Sequence, residues 1–246
     1  MKKRQKMIPE MFEREALLIG EKGVEKLNET KVMIFGVGGV GGYTLEGLVR
    51  AGVGKIVLVD NDDVSITNIN RQIIADTETV GKPKVEIAKQ RAKRINPEIE
   101  ISIEKTFVTK ENAGEIIEKY NPDYIVDAID TVSAKIAIIE YADKKGIRIV
   151  SSMGTGNKLD PERLRIVDIY KTTTCPLARV MRKELKERGI KKLSVLCSDE
   201  IPVKSENGNT PVIKENSRNA PGSISFVPSV GGLIIAAKVV RDVVEV

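Results

Sequence analysis

The chain has 246 residues, 41% hydrophobic and 30% charged, enough to enclose a sizeable core in one compact globular unit. It has no histidine and two cysteines, Cys175 and Cys197, which excludes histidine triads, histidine metal ligands, a disulfide framework and a four-thiolate zinc site. The formal charge of +5 is modest, and no apolar run reaches the ~20 residues a membrane-spanning helix needs, so the sequence predicts a cytoplasmic protein without membrane insertion.

The basic opening MKKRQKMIPEMFERE has no apolar stretch behind it and does not read as a secretory signal. Residues Met11–Leu27 are expected to be helix-rich, with Phe12, Leu17, Leu18, Ile19, Val24 and Leu27 packing on the main body and Arg14 among them. A strand over Val32–Phe35 then runs into the G-x-G-x-x-G of Gly36, Gly38 and Gly41, with Gly39 inside it. Glycine permits a tight turn, close approach to a phosphate, and a helix packed near the strand. The following helix, about Val40–Ala51, presents unpaired N–H groups and a positive dipole end to an anion. The next apolar run, Lys55–Val59, ends in Asp60, at the distance past the loop where an acid meets a ribose hydroxyl. The pattern fits a nucleotide site, with a purely structural glycine turn as the competing explanation.

Asp62, Asn68, Asn70, Arg71, Gln72 and Lys84 follow within a short span, an unusual density of polar groups beside such a loop. Arg71 can grip phosphate oxygens bidentately and Lys84 can add a point charge. Pro83 suits the first turn of a helix ending near Ile95, which places Lys84 against the helix dipole; phosphate binding would be one reason for it. A strand over Ile99–Ile103, a helix over Glu111–Lys119 and a strand over Asp123–Ala128 come next, the last placing Asp127 and Asp130 at its carboxyl end. There Asp130 could hold Mg²⁺ with nucleotide phosphates, or cap the helix Thr131–Lys145.

Strands are expected over Ile147–Val150, Leu164–Ile169 and Leu193–Leu196, with a helix from Pro176 to about Arg188. Arg179–Lys192 carries seven basic and two acidic residues. Arg179, Arg182, Lys183 and Lys186 on that face suit a phosphate-rich partner, or a solvated helix with i,i+4 ion pairs. The polar Ser198–Pro221 is expected to be a mobile loop, and Val230–Val244 a buried or interfacial helix. The alternation of strands and helices predicts a Rossmann-like, doubly wound, mainly parallel α/β sheet with a C-terminal strand and helix extension. All of 1–246 reads as one domain, with a nucleotide-binding core over 12–150 and an acceptor-side extension over 151–246.

With these residues in view the sequence resembles the ubiquitin-activating-enzyme-like (ThiF-type) adenylyltransferases, which include activators of small sulfur-carrier proteins. The likeness rests on GVGGVG, the D-x-D of Asp60 and Asp62, N-x-N-R-Q at Asn68–Gln72, Lys84, DAID ending at Asp130, and Arg14 in FEREALLIG. The second half, including MGTGNKLDPERLRIVDIYKTTTCPLARV and PGSISFVPSVGGLIIAAKVV, is similar to the tRNA threonylcarbamoyladenosine dehydratases, which use ATP to cyclise a modified adenosine beside the anticodon.

The resemblance implies that Gly36–Gly41 and Asp60 hold the adenosine, Asp62 orders the site, Asn70, Arg71 and Lys84 hold the triphosphate, and Asp130 carries Mg²⁺. It further implies a homodimer in which Arg14 reaches the partner's site, and it allows a sulfur-transfer protein as a further partner. The implied chemistry is adenylation of a carboxylate followed by ring closure with release of AMP. Two departures stand out: the paired-cysteine zinc site of many carrier activators has no ligands here, and Cys175 stands where the dehydratases usually have Asp before Pro-Leu-Ala. At a helix N-terminus its thiolate would be favoured, although ring closure needs no covalent enzyme intermediate. Activation of a sulfur carrier, an NAD(P)-dependent oxidoreductase and a non-catalytic partner subunit are the alternatives.

Overall fold

A computed structural model describes residues 8–203 and 221–246. Short apolar runs alternate with amphipathic segments, and they fold as α1 (Glu13–Glu29), β1 (Lys31–Phe35), α2 (Gly41–Arg50), β2 (Lys55–Val59), α3 (Lys84–Ile95) and β3 (Glu100–Glu104). Then come α4 (Ala113–Tyr120), β4 (Tyr124–Asp127), α5 (Val132–Lys145), β5 (Arg148–Ser152), β6 (Leu164–Asp168), α6 (Pro176–Glu187), β7 (Ser194–Ser198) and α7 (Phe226–Val244). The sheet order is β3-β2-β1-β4-β5-β7-β6, parallel throughout except for β6, which runs antiparallel to β7. This is the expected Rossmann-like architecture, with its switch point between β1 and β4. Both the 12–150 and the 151–246 segments contribute strands to this sheet.

The central strands are buried on both faces, which is why β1 and β2 read as unbroken apolar runs. Along β1, Val32 and Ile34 face a core with Leu45, Leu48, Val85, Ile235 and Val239 from α2, α3 and α7. Met33 and Phe35 face the opposite core, with Ile117, Ile138 and Ala142 from α4 and α5. A third cluster packs Met181 and Leu185 of α6 on Val195 and Cys197 of β7. The apolar C-terminal helix lies on α2, where Thr44 Oγ1 donates to the Gly232 carbonyl at 3.1 Å. A side chain at Gly232 would run into Tyr43 and the Val40 carbonyl, so glycine sets how closely these helices approach.

Two expectations change. Phe12, Val24 and Leu27 are buried as anticipated, but Leu17 and Leu18 are 86% and 87% exposed. α1 breaks at Gly20 (φ 73°, ψ 163°), so one helical face does not run through the segment, and Phe12 and Ile19 pack on the body while Leu17 and Leu18 lie outward. The loop expected over Ser198–Pro221 lies for the most part outside the described residues, which resume at residue 221. Among the described residues no helix is long and apolar enough to cross a membrane.

Candidate functional site

The crevice lies beyond the carboxyl ends of β1, β2 and β4, where open α/β sheets bind ligands. Gly36 leaves β1 with φ 86°, and its amide donates to the Val59 carbonyl at 2.8 Å. A Cβ there would sit 2.7 Å from the Ala128 carbonyl oxygen, and one on Gly41 would overlap the Gly36 carbonyl. The motif is therefore sterically required by the turn. No side chain caps α2; the Gly42 amide is taken by the Gly38 carbonyl at 2.9 Å, and the remaining first-turn amides suit an anion. Asp60 pins the turn: its Oδ2 accepts from the Val37 amide at 2.6 Å and its Oδ1 from the Asp62 amide at 2.9 Å. Burial pushes the Asp60 carboxyl above its ordinary range, partly offset by Lys84 nearby and by these two amides.

The segment Asn68–Gln72 lies against the turn. The Arg71 carbonyl is 3.5 Å from where a Gly39 side chain would begin, and Gln72 Nε2 is 3.7 Å from the same position on Gly38. Asn68 is buried and closes a capping box with Ser65, its Oδ1 accepting the Ser65 amide at 3.1 Å, so its side chain serves the local turn. Asn70 donates to the Ser223 carbonyl at 2.9 Å, tying this segment to the chain entering α7, and Pro228 of α7 lies against Gly39. Arg71 donates to the Thr67 carbonyl at 2.8 Å and to Asn70 Oδ1 at 3.0 Å, both neutral acceptors. It is half-buried, and that burial lowers its pKa; among the described residues it forms no ion pair. The Gln72 Oε1 atom is buried with no hydrogen-bond partner.

Lys84 opens α3 as expected, with Pro83 as the residue before it. Its ammonium is buried 2.7 Å from Asp62 Oδ2, and its amide donates to the Asp62 carbonyl at 3.0 Å. Asp62 thus supplies a reason for a cation to stand against the helix dipole, one that the spacing of the two residues did not reveal. Asp130 is exposed, and the residue capping α5 is Thr131, so the alternative that Asp130 caps this helix is overturned. Asp127, expected at the ligand edge beside it, is instead fully buried and paired with Lys135 at 3.0 Å. Among the described residues no three His, Cys, Asp or Glu side chains cluster as a metal cage. One exposed carboxylate at this edge fits an Mg²⁺ ion whose remaining ligands are phosphate oxygens and water.

The structure thus unites the glycine turn, Asp60, Asp62, Asn68–Gln72 and Lys84. Arg14 is exposed on the first half of α1 and makes no ion pair among the described residues. The sequence reading missed Val37, Ser223 and Pro228, which hold the turn, and the Lys135–Asp127 pair. A lysine inside the apolar run VSAKIAII was the available signal for that pair.

Arg179, Lys183 and Lys186 are exposed on α6. Arg182 departs from that set, since its guanidinium donates to the Thr172 carbonyl at 2.8 Å and to the Thr172 hydroxyl. Cys175 caps α6 and is 2% exposed. The neighbouring Cys197 thiol pulls its pKa down, helped by the amides of Ala178, Gly154 and Leu177 against an opposing burial effect; Cys197 itself is pushed up.

The model of the ThiF family matches residues 12–243. The chain is 45% identical over 241 residues to the tRNA threonylcarbamoyladenosine dehydratase of Bacillus subtilis, covering 95% of this chain and 94% of that one. It is 39% identical over 171 residues to the Escherichia coli protein of the same name, covering 70% of this chain and 63% of the relative. The crystal structure of E. coli tRNA N6-threonylcarbamoyladenosine dehydratase, TcdA, in complex with ATP is similar with a TM-score of 0.86 at 31% identity, over 96% of this chain and 94% of that one.

Proposed function

We propose that this chain, which belongs to the ThiF family, is an ATP-dependent tRNA threonylcarbamoyladenosine dehydratase. The observation that carries the site reading is Arg71, a half-buried guanidinium beside the glycine turn whose charge meets no carboxylate among the described residues. Such a cation suits a polyphosphate. The free amides at the start of α2 add a second anion-binding element, and Asp60 keeps the turn in the shape that presents them.

In this reading the carboxylate of the threonylcarbamoyl group attacks the α-phosphate of ATP, giving an acyl-adenylate and pyrophosphate. Ring closure within the same side chain then expels AMP, for a net loss of water. A carboxylate is already ionised at neutral pH, so the first step needs no histidine or other general base. Arg71 and Lys84 neutralise the triphosphate, and Lys84 shares its ammonium between Asp62 and a phosphate oxygen. Asp130 would hold Mg²⁺, which would supply further charge neutralisation when bound. Positioning and charge account for most of the catalysis, as in other phosphoryl chemistry.

The acceptor tRNA lies along Arg179, Lys183 and Lys186, with Arg182 serving the fold. The chain works as a single adenylation domain in the cytoplasm and as a homodimer: the exposed Leu17 and Leu18 lie near Arg14 on the first half of α1, which a second copy would cover while receiving the arginine. Pyrophosphate release measured with threonylcarbamoylated tRNA, unmodified tRNA and a Gly-Gly-ended carrier protein tests this reading. Release with the modified tRNA alone is expected, and release with the carrier alone would overturn it.

A further inference from the structure

Lys135 and Asp127 are both fully buried. An ammonium has three N–H donors, and here two go to backbone carbonyls while a carboxylate lies within ion-pair distance. Lys135 Nζ reaches Asp127 Oδ2 at 3.0 Å, the Ile129 carbonyl at 3.1 Å and the Ser152 carbonyl at 2.9 Å. Asp127 Oδ2 also accepts from Ser151 Oγ at 2.6 Å, across the register that pairs β4 with β5. One side chain of α5 therefore ties together the end of β4, the turn after it and the end of β5.

These three points frame the crevice. Asp130 follows Ile129 directly in the chain. Ala128, between Asp127 and Ile129, donates to the Phe35 carbonyl at 2.8 Å, and its own carbonyl oxygen blocks any side chain at Gly36. Beyond Ser152 the chain continues through Met153 to Gly154, which packs against Cys175 at the start of α6. The network thus touches the metal carboxylate, the glycine turn and the acceptor side at once.

A buried ion pair adds little net stability, and apolar residues of similar volume often replace one without loss. Such a replacement would leave the Ile129 and Ser152 carbonyls without the lysine, and the loop carrying Asp130 free to drift. We propose that Lys135 is a positioning residue, acting through Ile129 and Ser152 to hold Asp130 and the end of β5 in the register that brings nucleotide and acceptor together. This rests on reading Asp130 as the Mg²⁺-nucleotide ligand. It also predicts that Lys135 affects metal-dependent steps more than binding of the nucleotide itself.

The test compares parent, K135M, the charge-free double variant K135M/D127L, and the milder S151A. Thermal unfolding, ATP affinity with and without Mg²⁺, and pyrophosphate release with threonylcarbamoylated tRNA are measured for each. The double variant is expected to fold with a melting temperature several degrees below the parent, because the Ile129 and Ser152 carbonyls and the Ser151 hydroxyl lose partners, while kcat falls about 10- to 100-fold, as for an ångström-scale misplacement. The Mg²⁺ concentration for half-maximal ATP affinity rises severalfold, with metal-free ATP affinity unchanged. S151A shifts the same Mg²⁺ response in the same direction by a smaller factor. A stable double variant with parental kcat and Mg²⁺ response overturns the proposal, as does equal weakening of ATP with and without Mg²⁺. If the double variant does not fold, a parental Mg²⁺ response in S151A overturns it. Absence of pyrophosphate release in the parent would defeat the reaction reading instead, and the Mg²⁺ response of ATP affinity would still decide the role of Lys135.

Discussion

Above β1 and β4 the polar side chains of the crevice are tied to the main chain: Asp60 to the amides of Val37 and Asp62, Asn68 to Ser65, Asn70 to Ser223 and Arg71 to Thr67. Along α6 the cations Arg179, Lys183 and Lys186 stand exposed, Lys183 within 4.0 Å of Glu187, whereas Arg182 is anchored on Thr172. The first arrangement suits a small ligand whose reacting phosphate must be placed within a fraction of an ångström. The second suits a polyanion held by summed charge, where freely moving side chains cost little. The contrast is the one expected if reaction takes place in the crevice and α6 serves the proposed capture of the acceptor.

The largest effect should come from breaking the anchored side. Arg71→Ala is expected to lower adenylation about 10²- to 10³-fold, the range for removing one preorganised donor, with the melting temperature nearly unchanged. Pyrophosphate release and a thermal scan together check this; an equal loss of stability would make Arg71 structural. Gly36→Ala should follow, destabilising the fold by about 2 kcal/mol or more, because the added carbon meets the Ala128 carbonyl at an unfavourable φ. Denaturant unfolding reads that cost directly.

On the exposed side, reversing Arg179, Lys183 and Lys186 should weaken tRNA binding by about tenfold or more and flatten its salt dependence by about one unit of slope per lost phosphate contact. Arg182→Ala should cost stability more than it changes that slope. A steeper loss of slope at Arg182 than at its neighbours would reverse the comparison. The smallest effect is expected from Cys175→Ala, with cyclisation within about twofold of the parent, since replacing a group that does not touch the reacting atoms leaves transition-state stabilisation intact. The same variant should remove a thiolate ultraviolet signal that persists, in the parent, at pH values below the ordinary thiol range.

Much of this was legible in the sequence where local chemistry decides the outcome. The apolar run Lys55–Val59 is β2, and α3 begins after Pro83 and ends at Ile95, because chain-breaking and apolar residues punctuate those segments unambiguously. The parts that stayed hidden depend on contacts between distant residues. Asp127 and Asp130 share a strand end and look alike in sequence; the register opposite Ser151 and the approach of Lys135 bury one and leave the other exposed. Lys84 and Asp62 pair across a loop of unrelated polar residues. Leu17 and Leu18 read as core, but α1 breaks at Gly20 and they lie outward. The basic run of α6 reads as one face, although Arg182 points back into the protein's own turn.

The central claim is that one site joins ATP cleavage to dehydration of a tRNA nucleoside. Nucleoside mass analysis after incubating threonylcarbamoylated tRNA with ATP and Mg²⁺ tests it most directly, with Arg71→Ala as the control. The account predicts a modified adenosine lighter by one water, with AMP and pyrophosphate formed in equal amounts by the parent and not by the variant. An unchanged nucleoside, or a dehydrated one formed equally by both proteins, would contradict it.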